Sequence, residues 1–219
     1  QKQFYRDNNL PTADFVLVEN KVEIQEHLNL LPVMQKMRVG GYDGKGVIPL
    51  KSKGDLCDTF DAPSVLESWV EDALELAVLV SRNADGEIKS FPVVELVFNP
   101  EANLVDYLVS PARIGVEVES KARQLAEDLI AKMEMVGLLA VELFVDKTGK
   151  VLINEIAPRP HNSGHHTIEA CFPSQYDQHL RSILNWPLGN TVLRTAAAMI
   201  NLLGEKGFEG PAFYDGMDH

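Results

Sequence analysis

Alternating apolar and polar positions predict a series of short strands. Asp14–Glu19, Val33–Val39, Ser64–Val70, Leu74–Ser81, Ile88–Leu96, Asp106–Ser110 and Thr195–Leu203 all read this way. Gly137–Val145 and Lys150–Ile156 form a hairpin around Asp146-Lys-Thr-Gly149. Helical spacing is clearest in Val116–Val136, where Val118, Ala122, Leu125, Ala126, Leu129, Ile130 and Met133 recur on one stripe. Gly137 is placed to end that helix in the C′ position. Shorter helices are predicted over Gln1–Leu10, from Asn20 to Leu30, over Lys51–Phe60 and His165–Cys171, and over Ser174–Leu184 with Ser174 as cap. Residues from Gly204 to His219 read as irregular. The expected fold class is α+β.

Polar residues that break this pattern are the informative ones. In Val33–Val39, Met34, Lys36 and Arg38 share one face, so both cations point the same way. The strand runs into Gly40-Gly-Tyr-Asp-Gly-Lys-Gly46, with four glycines in seven residues, and then into the apolar Val47–Leu50. The loop is neither a Walker A loop nor a GxGxxG fingerprint, because the required glycines and Ser/Thr are absent. Strand, glycine loop and strand suggest a hairpin flap over phosphates; the plainer alternative is a surface turn. Glu67 and Glu75 interrupt apolar strands on either side of a turn. They read either as a solvated strand face or as ligand contacts.

Glu142 stands in one strand of the late hairpin, Asn154 and Glu155 in the other. A two-residue loop sets Glu142 opposite Glu155, whereas a three-residue loop with Gly149 left-handed sets it opposite Asn154. Opposed residues have Cβ atoms about 5 Å apart. Either way carboxylates converge in an apolar layer, which is unfavourable unless a cation is bound. Two carboxylates and an amide oxygen suit Mg²⁺; the alternative is a pair facing solvent or paired to Lys or Arg. Ala157-Pro-Arg-Pro-His-Asn-Ser-Gly-His-His166 follows. Its prolines and glycine exclude a HExxH-type zinc helix. Arg159, His161, Asn162 and Ser163 are donors suited to phosphate and hydroxyl oxygens.

The totals narrow the partners. The 219 residues carry a net charge of −12, which argues against nucleic acid but not against a nucleotide in a local cationic pocket. Cys57 and Cys171 form no CxxC pair, which favours a reduced, cytosolic setting over a disulfide framework. No apolar run reaches the ~20 residues needed to span a bilayer, so no membrane partner is expected.

Lys36-Met-Arg-Val-Gly-Gly-Tyr-Asp-Gly-Lys-Gly46, Leu139-Ala-Val-Glu-Leu-Phe144 and Asn154-Glu-Ile-Ala-Pro-Arg-Pro-His-Asn-Ser-Gly-His165 together resemble a family. This is the N5-carboxyaminoimidazole ribonucleotide synthase family of ATP-grasp ligases, also described as the ATPase subunit of phosphoribosylaminoimidazole carboxylase. The resemblance implies an ATP-grasp fold, two α/β subdomains with mainly antiparallel sheets clasping a nucleotide. The smaller would span 1–72 and the larger 73–219. It implies ATP, bicarbonate and 5-aminoimidazole ribonucleotide as reactants, carboxyphosphate as intermediate, ATP and Mg²⁺ as cofactors, and a homodimer. The Rossmann-like domain that precedes this segment in the family and the β-rich one that follows it are not in the sequence, so a fragment of low turnover is expected. An ATP-binding module or another ATP-grasp ligase is the alternative.

The same resemblance assigns residues. Nucleotide contacts would come from Lys36, from Gly41, Tyr42, Asp43, Gly44, Lys45, Gly46 and Val47 of the loop, and from a hinge of Glu67, Ser68, Trp69 and Val70. Glu75 would take the ribose hydroxyls, with Glu95 and Asn154 near the nucleotide. Glu142 and Glu155 would hold the metal. Tyr42, Asp43, Arg159, His161, Asn162 and Ser163 would meet the ribonucleotide, Asp43 and Arg159 as catalytic residues.

Overall fold

Antiparallel pairing dominates the computed structural model, which describes residues 1–40, 46–99 and 104–202. The chain opens with α1 (Lys2–Asp7), β1 (Phe15–Val18) and α2 (Lys21–Ile24). Asn20 caps α2 by accepting from the Val22 and Glu23 amides, as its position suggests. The predicted helix to Leu30 does not stay α-helical. It tightens into a 3-10 segment, Gln25–Leu30, with a kink at His27. Next come β2 (Val33–Met37), β3 (Val47–Leu50) and β4 (Ser64–Ser68). These close a four-stranded sheet in the order β1-β4-β2-β3. Val18, Ile24, Val33, Leu50 and Leu66 form its core.

The second sheet has seven strands. They are β5 (Leu74–Arg82), β6 (Ile88–Ser90), β7 (Val94–Asn99), β8 (Leu104–Ser110), β9 (Gly137–Val145), β10 (Val151–Ala157) and β11 (Ala197–Ile200). The main order is β10-β9-β5-β7-β8-β11, with β6 pairing β5. One expected strand, Ile88–Leu96, is two. Pro92 has no N–H to give a ladder, so the run breaks between β6 and β7.

One face of this sheet is covered by α3 (Val116–Lys132). Leu125, Ala126, Leu129 and Ile130 of α3 join Leu76, Val78, Leu139, Val141, Leu143 and Ile153 in the principal core. Tyr5 and Leu10 belong to that core too. The amino-terminal segment therefore packs on the larger sheet although it precedes the smaller one in sequence. Thr12 bridges Ile153, and the Ile153 amide donates to the Pro11 carbonyl at 2.8 Å. The opposite face is covered at one end by α5 (Gln175–Ile183), which packs on β9 and β5 and follows the short α4 (Thr167–Ala170).

Gly137 does not end α3. Glu134 takes the left-handed position at φ 49, and the Met135 amide returns to the Ile130 carbonyl at 3.3 Å. Gly137 instead begins β9 at φ 130. An L side chain is strained in that left-handed position. Glu134→Gly is expected to stabilise the chain by about 1 kcal/mol. Thermal unfolding checks this: the midpoint should rise by about 2–4 °C.

Candidate functional site

The uncovered end of the larger sheet carries three carboxylates. Glu75 lies on β5 and Glu142 on β9, where Ala77 pairs Glu142 and Glu75 pairs Phe144. The two glutamates are therefore diagonal neighbours on one face. Glu155 on β10 lies directly opposite Glu142. This face is the reverse of the α3 face, because Leu76, Val141 and Leu143 point to the principal core.

The hairpin register combines the two alternatives open in the sequence. Its loop is the three-residue one: Asp146 and Lys150 pair, and Gly149 is left-handed at φ 80. That register alone would set Asn154 against Glu142. A bulge between Ile153 and Glu155 shifts the ladder, so Glu155 takes the place opposite Glu142. The extra residue is Asn154. It turns its Oδ1 to Lys36 of the smaller sheet, which donates to it at 2.8 Å. The bulge thus lets two consecutive polar residues serve one site from a strand.

Burial, and then crowding, raises the proton affinity of Glu142 and Glu75. Burial, then Glu155, then Glu75 push the Glu142 carboxyl up to about 8, while Lys36 pulls the other way. Burial pushes Glu75 up to about 7, partly offset by Lys36 and reinforced by Glu155. The donors are hard oxygens, and Mg²⁺ needs only one or two carboxylates because it keeps waters and phosphate oxygens. Glu142 and Glu155 fit it on that ground. Among the described residues no cluster of three or more His, Cys, Asp or Glu forms a complete protein cage for a metal.

Across the cleft stands a buried ion network. Glu67 is 2 % exposed and lies between two lysines. Lys2 Nζ donates to its Oε1 at 2.5 Å, and Lys36 Nζ sits 2.8 Å from Oε2, off the hydrogen-bond line. Lys2 also donates to Thr12 Oγ1 at 2.8 Å and to the Ile153 carbonyl at 3.2 Å. Burial pushes Lys2 down to about 8 against the pull of Glu67. The network joins the two sheets: Lys2 and Asn154 belong with the larger one, Glu67 and Lys36 with the smaller. Lys2 carried no signal in the sequence, because a lysine in a polar helix reads as solvated.

The loop after β10 is held from behind. Gln175, fully buried, accepts from the His161 amide and donates to the His161 carbonyl, both at 2.9 Å. The Ser163 amide donates to His161 Nδ1 at 3.3 Å, which leaves the proton on Nε2 in the neutral ring. Nε2 faces Glu142 Oε1 at 3.7 Å. Ser163 is buried with its hydroxyl 3.0 Å from His161 Nδ1, so it orients that ring. Asn162 keeps a buried Oδ1 without a hydrogen-bond partner among the described residues. Arg159 is exposed, donating to the Pro160 carbonyl at 3.0 Å. Gly164 is required by space: a Cβ there would lie 2.5 Å from Leu79 Cδ2.

Other expected residues are placed as follows. Gly46 at φ 85 and Val47 close the described end of the glycine-rich loop, where the Met37 amide donates to the Gly46 carbonyl. Gly41, Tyr42, Asp43, Gly44 and Lys45 lie outside the described residues. Ser68 and Trp69 give their amides to the Asp14 and Pro32 carbonyls, and Val70 follows them. Glu95 is not brought to the carboxylates. It opposes Leu76 on the α3 face and binds the Arg113 side chain and amide, which hold its carboxyl below the usual range. A separate cavity of about 440 Å³ is lined by His165, His166, Glu169, Tyr176 and Met199; it is not the carboxylate face.

Residues 3–176 match the model of the ATP-grasp domain. The chain belongs to the ATP-grasp family. It is 37% identical over 212 residues to N5-carboxyaminoimidazole ribonucleotide synthase of Bacillus subtilis, covering 94% of this chain and 55% of that protein. The crystal structure of N5-carboxyaminoimidazole ribonucleotide synthetase from Thermotoga maritima superposes with a TM-score of 0.83 at 42% identity, covering 95% of this chain and 54% of the other. The Aspergillus clavatus enzyme, in complex with ADP and 5-aminoimidazole ribonucleotide, gives a TM-score of 0.84 at 30% identity, covering 94% and 56%. The ATP-grasp chain thus spans about half the length of these relatives. No described helix is long and apolar enough to cross a membrane.

Two outcomes follow from the geometry. The folded chain holds the Glu142 proton to about 8, whereas an unperturbed carboxyl releases it near 4.5. Between those values the folded state binds more protons than the unfolded one, so ligand-free stability falls as pH rises. Denaturant unfolding across that window checks the slope, and Glu142→Gln should reduce it, leaving the part that Glu75 contributes. Gln175→Leu strips both backbone partners from His161; denaturant unfolding should show a loss of about 2–4 kcal/mol.

Proposed function

We propose that this chain binds Mg-ATP and uses it to carboxylate 5-aminoimidazole ribonucleotide. Bicarbonate supplies the carboxyl group, and the products are the N5-carboxy ribonucleotide, ADP and phosphate, a step of de novo purine biosynthesis. The observation that carries the reading is the meeting of Lys36, Asn154, Glu75, Glu142 and Glu155 in one cleft, with the His161 loop at its side. The named relatives, one of them holding ADP and this ribonucleotide, support the choice of substrates. The boundary expected at 1–72 needs one change, because Tyr5 and Leu10 pack in the core of the larger sheet: we assign the smaller subdomain to residues 14–72 and join the amino-terminal segment to the larger one that starts at residue 73, with the nucleotide between their sheets. The resemblance also supports a homodimer and a cytoplasmic setting.

Phosphoryl transfer asks little covalent chemistry of a protein; it asks for alignment and charge neutralisation. Lys36 lies where a phosphate would draw it from Asn154. Glu142 and Glu155 would hold Mg²⁺, which when bound neutralises phosphate charge. Glu75 accepts from ribose hydroxyls. Bicarbonate oxygen attacks the γ-phosphorus, ADP leaves, and carboxyphosphate results. The ribonucleotide amine then attacks the carboxyl carbon, the bond from that carbon to the phosphate oxygen breaks, and the amine gives up a proton as phosphate departs. Arg159, His161 and Asn162, with Tyr42 and Asp43 of the glycine-rich loop, would bind and orient the ribonucleotide. Ser163 acts through His161. Water must be kept from an acyl phosphate, and the loop from Gly41 to Val47 serves as the cover.

Phosphate release tests the proposal. It should require ATP, Mg²⁺, bicarbonate and the ribonucleotide together, at the low turnover expected of this chain. Arg159→Ala should lower ribonucleotide use by about tenfold or more while nucleotide binding persists. Glu155→Ala should abolish Mg-nucleotide binding itself. Nucleotide binding without dependence on bicarbonate or the ribonucleotide would instead identify an ATP-binding module.

A further inference from the structure

Lys2 and Lys36 flank the same buried carboxylate but are held very differently. Lys2 has three donors and three acceptors: Glu67 Oε1, Thr12 Oγ1 and the Ile153 carbonyl. Its side chain is 9 % exposed. Nothing remains for it to offer a ligand without breaking one of those bonds. Lys36 has two acceptor atoms near it, Glu67 Oε2 and Asn154 Oδ1, and its side chain is 22 % exposed. Among the described residues it is the ammonium with a donor to spare and a way out.

We infer that Lys2 is a positioning residue: a fixed counter-ion for Glu67 that releases Lys36 to a nucleotide phosphate. The inference rests on the nucleotide-binding role proposed for the cleft. A buried carboxylate must keep a cation beside it, because an unpaired buried charge is strongly unfavourable. Two lysines around one glutamate leave one positive charge in excess. When Lys36 turns to a phosphate, the Lys2–Glu67 pair left behind is neutral. Without Lys2, Glu67 would hold Lys36 for itself, and each nucleotide bound would strand a buried anion. Glu67 and Lys36 are set for this exchange because they are diagonal neighbours on β4 and β2, where Glu67 pairs Met34 and Lys36 pairs Val65. Lys2 comes from α1, whose Tyr5 is anchored in the core of the larger sheet, so it stays in place when Lys36 moves.

A double-mutant cycle on the 219-residue chain reads the coupling. Mg-ADP affinity is measured by calorimetry for the unaltered chain, Lys2→Met, Glu67→Gln and the combined variant. Lys2→Met should weaken Mg-ADP by about tenfold, within the range that coupled neighbours show. In the Glu67→Gln background the same change should have no effect, since no anion is left to trap Lys36. Adenosine, which has no phosphate for Lys36 to reach, should bind Lys2→Met and the unaltered chain alike. Should Lys2→Met alone not fold, Glu67→Gln against the combined variant still decides: equal affinities are expected. A loss of affinity on Lys2→Met in both backgrounds, or a loss of adenosine binding with it, would overturn the inference. So would unchanged Mg-ADP binding by a folded Lys2→Met chain. Failure of the unaltered chain to bind Mg-ADP at all overturns the proposed nucleotide role and the inference together.

Discussion

A carboxylate buried between two sheets has to be neutralised, and the cleft is arranged around that requirement. Glu67 is held by Lys2 from the amino-terminal helix and by Lys36 from its own sheet. Through Thr12, Ile153 and Asn154 those lysines reach the larger sheet. The two sheets are therefore tied where a nucleotide would lie. An apolar seam of the same size would be at least as stable, but it would place no cation in the cleft.

The larger sheet presents the opposite charge. Glu75, Glu142 and Glu155 share one face, and burial with mutual repulsion keeps Glu142 protonated to about 8. Such a face is poorly satisfied by itself and well satisfied by a divalent cation. Lys36 stands between the two sets, facing Glu67 and Asn154 and lowering the proton affinity of Glu75 and Glu142. The cleft is thus lined by groups of both signs, which suits a ligand that is itself a metal–phosphate complex.

Much of this was legible in the sequence because polar residues inside apolar strands are rare enough to stand out. Glu142, Asn154 and Glu155 announced themselves that way, and alternation placed Lys36. The antiparallel fold followed from strand runs and the Asp146–Gly149 turn. What was not legible depended on three-dimensional accounting. The bulge at Asn154 reconciles two registers that sequence kept apart, because only the packing of Ile153 on one side and Glu155 on the other requires it. Lys2 lies far from its partner in sequence, and nothing local marks it. Glu95 was expected near the nucleotide from the resemblance, yet strand pairing puts it on the other face against Arg113. Ser163 looked like a substrate donor and proves to be engaged by His161.

Calorimetric titration with ADP, in buffers of different ionisation enthalpy and with or without Mg²⁺, tests the central claim that this acidic face is a metal–nucleotide site. Near pH 7 binding should require Mg²⁺ and should release protons to the buffer, because Glu142 must ionise to meet the metal. ADP binding that is equally tight in a chelator, with no proton released, would contradict it.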